Sequence, residues 1–271
     1  MTDLRLGDCL EVMKSIPNGS IDAIITDPPY GTTACKWDSV IPFDLMWEQL
    51  NRIIKPNGAI VLFSAQPFTS ALISSNYKYY KYNWTWDKKS ATGGQFATKQ
   101  PMRRLEDICL FYKNQCTYNP QLEDKEKKYI RYIKKDYVNN SKHIKDTKSF
   151  TTNSKTRTIP EDKKYPSNLI SISSGSHKTK VHPTQKPVSL MEYLIKTYTN
   201  ENETVLDFTM GSGSTGVAAK NLDRKFIGIE MDDNYFKIAT DRISKEEKQL
   251  KILWHYTLAN VERLKNYLKL Q

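Results

Sequence analysis

A glycine-rich loop between an apolar strand and a helix constrains the fold of this chain more than any other feature. Residues 203–208 predict a strand, Gly211, Gly213 and Gly216 follow in the pattern GxGxxG, and residues 214–221 are expected to begin a helix. Glycines at such a junction let the backbone approach a ligand closely, and the pattern has this meaning only between a strand and a helix. The loop therefore predicts an α/β fold built on a parallel sheet.

Two acidic residues accompany this loop. Asp207 lies at the end of the strand before the glycines, and Glu230 ends the next predicted strand, residues 226–230. A carboxylate about 20 residues beyond such a loop commonly binds the hydroxyls of a ribose. The spacing therefore predicts a nucleoside-containing cofactor, for which NAD and S-adenosylmethionine are both candidates, and Asp207 favours a cofactor with a cationic group. A glycine-rich turn without a ligand is the structural alternative.

A second apolar strand, residues 21–26, is followed by the tetrapeptide DPPY. Because neither Pro28 nor Pro29 can donate to a strand ladder, the strand should end there. The Asp27 carboxylate and the Pro28 carbonyl can accept hydrogen bonds from an exocyclic NH2 group and localise its lone pair, which suits amine methylation. The Tyr30 ring can stack on a base extruded from a duplex. A simple strand-ending turn is the alternative.

Strand and helix signals alternate on both sides of a different middle region. Residues 43–54 and 188–198 have helical spacing, residues 55–58 (KPNG) predict a turn, and a strand is expected at 59–63. The middle region predicts loops with weak strands. We therefore expect a doubly wound, mostly parallel sheet of the α/β class with an inserted lobe. The expected segments are residues 1–112, the insertion at 113–180, residues 181–245 and a C-terminal amphipathic helix at 246–271.

The middle region concentrates the positive charge of the chain. The 271 residues have a net charge of +11, and residues 125–165 carry 13 Lys or Arg against 5 Asp or Glu, with aromatic residues between them. A basic segment with aromatics is typical of a nucleic-acid-binding surface. A solvated charged insertion explains the composition equally well.

Composition also excludes several classes of protein. No run of about 18 apolar residues could span a membrane, and the first residues lack the profile of a signal peptide, so a cytoplasmic location is expected. The scattered cysteines show no CxxC spacing and no neighbouring pair of histidines, so no metal site is predicted. The cysteines are Cys9, Cys35, Cys109 and Cys116.

Four ordered motifs make the chain resemble the DNA amino-methyltransferases of the N4-cytosine/N6-adenine type. In the permuted order called the beta group, the catalytic half with DPPY comes first, the target-recognition region follows, and the cofactor half comes last. This chain has GDCL at 7–10, DPPY at 27–30, HPTQKP at 182–187 and the glycine loop at 207–216. The resemblance covers roughly residues 4–112, including a stretch at 103–111, and residues 175–245.

The resemblance implies a Rossmann-like, S-adenosylmethionine-dependent methyltransferase. Such an enzyme flips a base out of double-stranded DNA and transfers the methyl group to it directly and in line. It implies a catalytic segment in which Asp27 and Pro28, held by the rigid Pro29, activate the target amine and Tyr30 stacks on the base. The residues implied for cofactor binding are Asp8, Asp27, Thr184, Gln185, Lys186, Asp207, Phe208, Gly211, Gly213 and Glu230.

Roles within this set follow the resemblance. Asp8 is expected at the adenine of the cofactor, Glu230 at its ribose, and Asp207 at its methionine end together with the glycines. Lys186 and its two preceding neighbours are expected to hold the methionine carboxylate or to shape its pocket, although Lys186 alone would also suit a phosphate or the protein surface. The chain departs from the usual Asp-Pro-Phe-x-Gly-x-Gly loop at Thr209, which stands where phenylalanine is usual. This departure changes the packing expected against the cofactor.

The target base and the partners are also expectations from the resemblance. Asp27 favours adenine, because serine at this position is more typical of N4-cytosine enzymes, and N4 of cytosine is the first alternative. Methylation of RNA or of a protein amide is a further alternative, and so is a catalytically silent DNA-binding protein. Double-stranded DNA is the expected partner. A homodimer and a cognate restriction endonuclease are left open.

Overall fold

The computed structural model divides the chain into two compact units. The first comprises Met1–Asn119 and Asn168–Gln271, and the second comprises Pro120–Ser167. Predictions for Thr184, for most of the basic segment and for the C-terminal amphipathic helix fall outside the described residues. The structure describes residues 1–32, 38–125, 159–160, 162–175 and 185–245.

Strands and helices follow each other in the predicted alternating order, and β2 and α4 have the predicted bounds. The strands are β1 (Thr2–Leu6), β2 (Ile21–Thr26), β3 (Ile54–Ser64), β4 (Tyr80–Thr92), β5 (Arg103–Phe111), β6 (Glu123–Asp124), β7 (Lys163–Lys164), β8 (Leu169–Ser171), β9 (Thr204–Asp207) and β10 (Lys225–Glu230). The helices are α1 (Cys9–Met13), α2 (Phe43–Ile53), α3 (Phe68–Ser75), α4 (Val188–Tyr198), α5 (Ser214–Asn221) and α6 (233–245).

The first unit is built on an eight-stranded sheet with the order β1-β10-β9-β2-β3-β5-β4-β8. The described neighbours in this sheet are parallel, except that β5 pairs antiparallel with β3 and β4. The prediction of a mostly parallel α/β sheet is therefore confirmed.

Helices cover both faces of this sheet. Leu194 of α4 and Ile243 of α6 belong to one buried apolar cluster, whereas Leu50 of α2 belongs to a second. Consecutive residues of β2 enter different clusters, Ile25 the first and Ile24 the second. This is the pattern of a strand buried on both faces. Burial of each such side chain stabilises the folded protein by roughly 1.5–3 kcal/mol. Strands that are apolar on both faces therefore favour a sheet with helices on both sides.

The strand order brings the two predicted motifs together. β2 pairs in parallel with β9, and Ala23 lies opposite Val205. From β2 the chain passes through α2 to β3 on one side, and from β9 it passes through α5 to β10 on the other. Where the connections from two neighbouring parallel strands lead in opposite directions along the sheet, a crevice forms at the carboxyl ends of these two strands.

The turn predicted at residues 55–58 is wrong. β3 runs through this segment, and the register places Ile21 opposite Ile54 but Ala23 opposite Ala59. The four intervening residues therefore form a bulge beside Asp22, whose Oδ1 lies 2.6 Å from Nζ of Lys55. Turn-forming residues in the sequence serve here to bend one strand rather than to end it.

The inserted unit is shorter than the predicted segment 113–180. Within Pro120–Ser167, β6 and β7 form a two-stranded antiparallel pair, which agrees with weak strands. β8 instead joins the large sheet, because it pairs in parallel with β4 and places Leu169 opposite Thr85. In the described part of the chain, no helix is both long enough and apolar enough to cross a membrane.

Candidate active site

A cavity of about 580 Å³ lies at the carboxyl ends of β2, β9 and β10. Its volume falls within the range of small-molecule sites, and its position is the one where ligands bind to parallel sheets. Of the predicted site residues that the structure describes, Gly213 alone does not line this cavity. The predicted residues that line it are Asp8, Asp27, Pro28, Pro29, Tyr30, Gln185, Lys186, Asp207, Phe208, Gly211 and Glu230.

Asp207 ends β9 and is buried among neutral hydrogen-bond donors. Its Oδ1 accepts hydrogen bonds from Oγ1 of Thr26 and, at 3.2 Å, from the backbone N–H of Thr209. Its Oδ2 accepts one from Oγ1 of Thr215 at 2.6 Å. Burial raises the pKa of Asp207 to about 6, although the hydroxyl donors oppose this shift. A buried carboxylate without a described cationic partner suits a ligand that brings its own positive charge.

Glu230 ends β10 and lies at the other side of the glycine loop. Oε2 accepts a hydrogen bond from the backbone N–H of Gly211 at 2.9 Å, and Oε1 accepts one from the N–H of Asp232 at 2.8 Å. Burial raises the pKa of Glu230. Each carboxylate oxygen can accept more than one hydrogen bond, so this side chain retains acceptor capacity for ligand hydroxyls.

The glycines of the loop serve different purposes. Gly211 has a φ of 52°, a backbone conformation that glycine adopts without strain, and it lines the cavity. Gly213 precedes α5 with a φ of 78°, and a Cβ there would lie 3.0 Å from Cβ of Ala239 in α6. At Gly216, a Cβ would lie 2.4 Å from Cδ1 of Ile243. The last two glycines therefore permit close helix packing, which explains why Gly213 does not line the cavity.

Asp8 and Phe208 also have structural tasks. Asp8 caps α1, because its Oδ1 accepts hydrogen bonds from the backbone N–H groups of Leu10 at 2.8 Å and Glu11 at 3.3 Å. Phe208 is buried in the second apolar cluster, together with Leu206. Both residues line the cavity in addition to these roles.

Thr209, where the chain departs from the usual loop, connects the two halves of the site. Its Oγ1 donates a hydrogen bond to the backbone carbonyl of Asp27 at 3.1 Å and lies 2.9 Å from Oγ1 of Thr26. A phenylalanine could make neither contact. The departure therefore provides a hydrogen-bonded link between the glycine loop and the DPPY segment.

Asp27 follows β2 and has a donor on each carboxylate oxygen. Tyr30 donates its hydroxyl proton to Oδ1 at 2.6 Å, and the ammonium of Lys186 lies 2.5 Å from Oδ2. Burial raises the pKa of Asp27, and Lys186 opposes this shift. The Tyr30 ring is stacked on Phe68, with the ring centroids 5.1 Å apart. Burial and the neighbouring Asp27 raise the pKa of Tyr30 well above its ordinary value.

Lys186 belongs to a buried group of alternating charges. Its Nζ also lies 3.5 Å from Oε2 of Glu106 and 5.1 Å from the ring centroid of Phe63. Oε1 of Glu106 accepts a hydrogen bond from Nζ of Lys88 at 3.0 Å. Burial alone would lower the pKa of Lys186, but Asp27 and Glu106 raise it above the ordinary value. Lys186 is buried, so the alternative that placed it on the surface is wrong.

Several residues of the site were missed by sequence reasoning. Thr26 is a polar residue at the end of an apolar strand, a signal that could have indicated a role at the strand end. Glu106 lies in the stretch at 103–111 that already resembled part of a catalytic half. Thr215 occupies a variable position of GxGxxG and gave no signal. Among the described residues, no group of three or more His, Cys, Asp or Glu side chains is arranged to hold a metal ion.

Known proteins resemble this chain over most of its length. Residues 21–241 match the family N6_N4_Mtase, described as DNA methylase. Type II methyltransferase M.HpaI from Haemophilus parainfluenzae is 30% identical over 264 residues, which cover 90% of this chain and 75% of that protein. Type II methyltransferase M1.MboII from Moraxella bovis is 28% identical over 249 residues, covering 84% of this chain and 91% of that protein.

A solved structure agrees with these relatives. The crystal structure of the M1.HpyAVI–SAM complex superposes with a TM-score of 0.60 and 26% identity, covering 90% of this chain and 99% of that one. SAM is S-adenosylmethionine, which combines a nucleoside with cationic groups and therefore suits the carboxylates of Glu230 and Asp207. The family match spans both β2 and the glycine loop. The chain therefore belongs to the DNA methylase family N6_N4_Mtase and is an S-adenosylmethionine-dependent DNA methyltransferase.

Proposed function

We propose that this enzyme methylates N6 of adenine at a specific sequence of double-stranded DNA, after flipping the target base into the cavity. The observation that carries the proposal is the position of Asp27: its partly buried carboxylate lies at the end of β2, in the same cavity as Asp207 and Glu230. A duplex hides the N6 amino group within the base stack, so the base must leave the stack to reach this carboxylate.

The residues of the chain suit the activation of an amine. The Asp27 carboxylate and the Pro28 carbonyl accept hydrogen bonds from the two N–H groups, localise the nitrogen lone pair and stabilise the positive charge that develops on the nitrogen. Tyr30, fixed by its stack on Phe68 and its bond to Asp27, offers its ring to the base. One proton leaves the methylated nitrogen through Asp27 to water.

The cofactor supplies an electrophilic methyl group on a sulfonium when it is bound. Asp207 would compensate its positive charge, and Glu230 would accept hydrogen bonds from its ribose. Asp8 and Gln185, which line the same cavity, would complete the contacts. Because the two reactants are held in one cavity, the site removes much of the entropy cost of bringing them together.

The first experiment measures the transfer of labelled methyl from S-adenosylmethionine to unmethylated DNA. We expect the natural protein to label DNA and Asp27→Ala to lose at least about 100-fold in rate while still binding the cofactor. Asp22→Asn is the matched control, because Asp22 pairs with Lys55 at the far end of β2 and does not line the cavity. If natural protein and variant both bind the cofactor but neither labels DNA, RNA and protein acceptors become the substrates to test.

Hydrolysis of the labelled DNA identifies the base. N6-methyladenine supports the proposal, whereas N4-methylcytosine alone would overturn the choice of adenine. Sequencing of the modified DNA then gives the recognised site, which we propose is read mostly by residues 113–180. The Type II methyltransferases among the relatives support double-stranded DNA as the substrate and leave open a cognate endonuclease. A cytoplasmic location fits this substrate, and light scattering in solution would establish whether the protein is a homodimer.

A further inference from the structure

Both oxygens of the Asp27 carboxylate already have a donor from the protein in the structure without DNA. Oδ2 is 2.5 Å from the Lys186 ammonium and Oδ1 accepts the Tyr30 hydroxyl proton at 2.6 Å. An ammonium at this distance cancels most of the charge that a target amine would experience. Under the proposed function, full activation of the amine therefore requires Lys186 to release Oδ2.

A second acceptor for Lys186 lies ready beside it. Oε2 of Glu106 is 3.5 Å from Nζ of Lys186 and is buried, and it has no hydrogen-bond partner among the described residues. The other oxygen, Oε1, is held by Lys88 at 3.0 Å, so the carboxylate is anchored and its free oxygen faces the ammonium. A buried carboxylate oxygen that has a long ionic contact but no hydrogen bond is costly, and its persistence needs an explanation.

We infer that Lys186 transfers its ion pair from Asp27 to Glu106 when the target amine enters, and that Glu106 is the positioning residue that makes this transfer possible. The ammonium needs to move by only about 1 Å to reach hydrogen-bond distance from Oε2. No proton or covalent bond changes hands, and the net charge of the cavity stays the same. The inference rests on the proposed function, because the target amine is what displaces Lys186.

The test compares Glu106→Gln, Lys186→Met and the double variant on a duplex that carries the mapped site. Without the second carboxylate, Lys186 stays on Asp27, so we expect Glu106→Gln to lower kcat roughly 10- to 100-fold. The cofactor Kd and the KM for DNA should change by less than about threefold. Adding Lys186→Met to Glu106→Gln should cause a smaller loss than Lys186→Met causes in the natural protein, because it also removes the ammonium that blocks Asp27. Asp22→Asn again controls for the loss of an ion pair elsewhere.

A second measurement needs no methyl transfer. Carboxyl 13C NMR of the free protein follows the titration of Asp27, whose signal is assigned by its loss in Asp27→Asn. Lys186, Tyr30 and Glu106 face this carboxylate, and Asp207 interacts with it through space. Lys186→Met should raise the pKa of Asp27, because the neighbouring cation is lost. Glu106→Gln should lower this pKa, because a repelling charge is removed and Lys186 then pairs with Asp27 alone.

The outcomes separate the two proposals. A natural protein that binds cofactor but labels no DNA contradicts the proposed function, whatever the NMR titration shows. The transfer of the ion pair is overturned if Glu106→Gln slows methylation no more than Asp22→Asn does, or if the Asp27 titration does not move. Non-additive rate losses together with opposite pKa shifts support it.

Discussion

Asp27 and Asp207 occupy equivalent places, at the carboxyl ends of the neighbouring parallel strands β2 and β9, but their surroundings differ. Asp207 is buried and Asp27 is partly buried, and the loss of solvent raises the pKa of each. Asp27 has the cation of Lys186 at 2.5 Å. Asp207 receives only neutral donors from the described residues, the hydroxyls of Thr26 and Thr215 and one backbone N–H.

The difference indicates what each carboxylate binds. A buried charge that the protein already compensates can face an uncharged group, such as an aromatic amine, without a large electrostatic cost. A buried charge that the protein leaves uncompensated destabilises the fold until a cationic ligand arrives. On this basis, we propose that Asp27 faces the base and Asp207 the cofactor.

The strongest test of this contrast is Asp207→Asn. The amide keeps the size of the side chain but lacks the charge, so we expect the Kd for S-adenosylmethionine to rise roughly 100-fold or more, measured by calorimetry. The folded-state pKa of Asp207, about 6, lies above the ordinary value of 3.8. The ionised carboxylate therefore lowers the free energy of unfolding. This loss is complete above pH 6 and decreases as the pH falls.

Asp207→Asn should consequently raise the Tm of the cofactor-free protein at pH 7.5, by roughly 2–4 °C for each kcal/mol relieved. Thermal unfolding at pH 7.5 and pH 5 checks the sign, because the gain should shrink at the lower pH. A variant that binds the cofactor within threefold of the natural protein would contradict the role of Asp207.

Lys186→Met tests the other carboxylate. Asp27 would lose its cation, so its pKa would rise further and its charged form would be less favoured. We expect methyl transfer at pH 7 to fall roughly 10- to 100-fold and to recover in part at pH 9. Cofactor binding is the decisive control: a large rise in the cofactor Kd would show that Lys186 holds the methionine carboxylate instead.

The pH dependence of cofactor binding gives an intermediate effect. Under the proposed role of Asp207, its ionised form binds the cation, so affinity should be retained above its pKa of about 6 and lost as the pH falls through it. Between pH 7 and pH 5 the Kd should rise about tenfold. Asp207→Asn provides the control, since its weak binding should vary much less over this range. An equal pH dependence in both proteins would assign the titration to another group.

The smallest expected effect concerns the link between the two carboxylates. Thr209→Val removes the hydroxyl that bonds the Asp27 carbonyl at 3.1 Å but keeps the shape of the side chain. One neutral hydrogen bond contributes about 1 kcal/mol, so kcat should fall roughly three- to tenfold with little change in the cofactor Kd. Thr209→Ser should restore most of the rate. If serine performs no better than valine, the link does not position Asp27.

The sequence predicted the fold where local and global signals agreed. The end of β2 at consecutive prolines, the strand before the glycines and the helix at 188–198 all appear as expected. The prediction of a turn at 55–58 was wrong because the same residue types occur in turns and in bulges, and only the register with β2 distinguishes the two. Gly213, expected at the cofactor, packs against Ala239 and does not line the cavity. A glycine that leaves room for a helix and one that leaves room for a ligand look alike in one sequence.

The partners of the site carboxylates could not be predicted. Lys186 is 159 residues from Asp27, and Glu106 comes from β5, a strand not adjacent to β2. The packing of strands, helices and loops decides which buried cation pairs with which anion. No spacing in the sequence encodes these pairings. Asp27 and Asp207 were named from the sequence, but the difference between them became visible only in three dimensions.

The pairing of β2 with β9 has a consequence for how the protein is made. Thr26 and Asp207 lie 181 positions apart, so a ribosome must complete most of the sequence before β9 can join β2. Until then, the nascent chain presents an apolar strand with one open edge, a template for unwanted association with other chains. Closing so long a loop is also slow. This enzyme should therefore depend on chaperones during synthesis more than a protein of similar size whose neighbouring strands are consecutive.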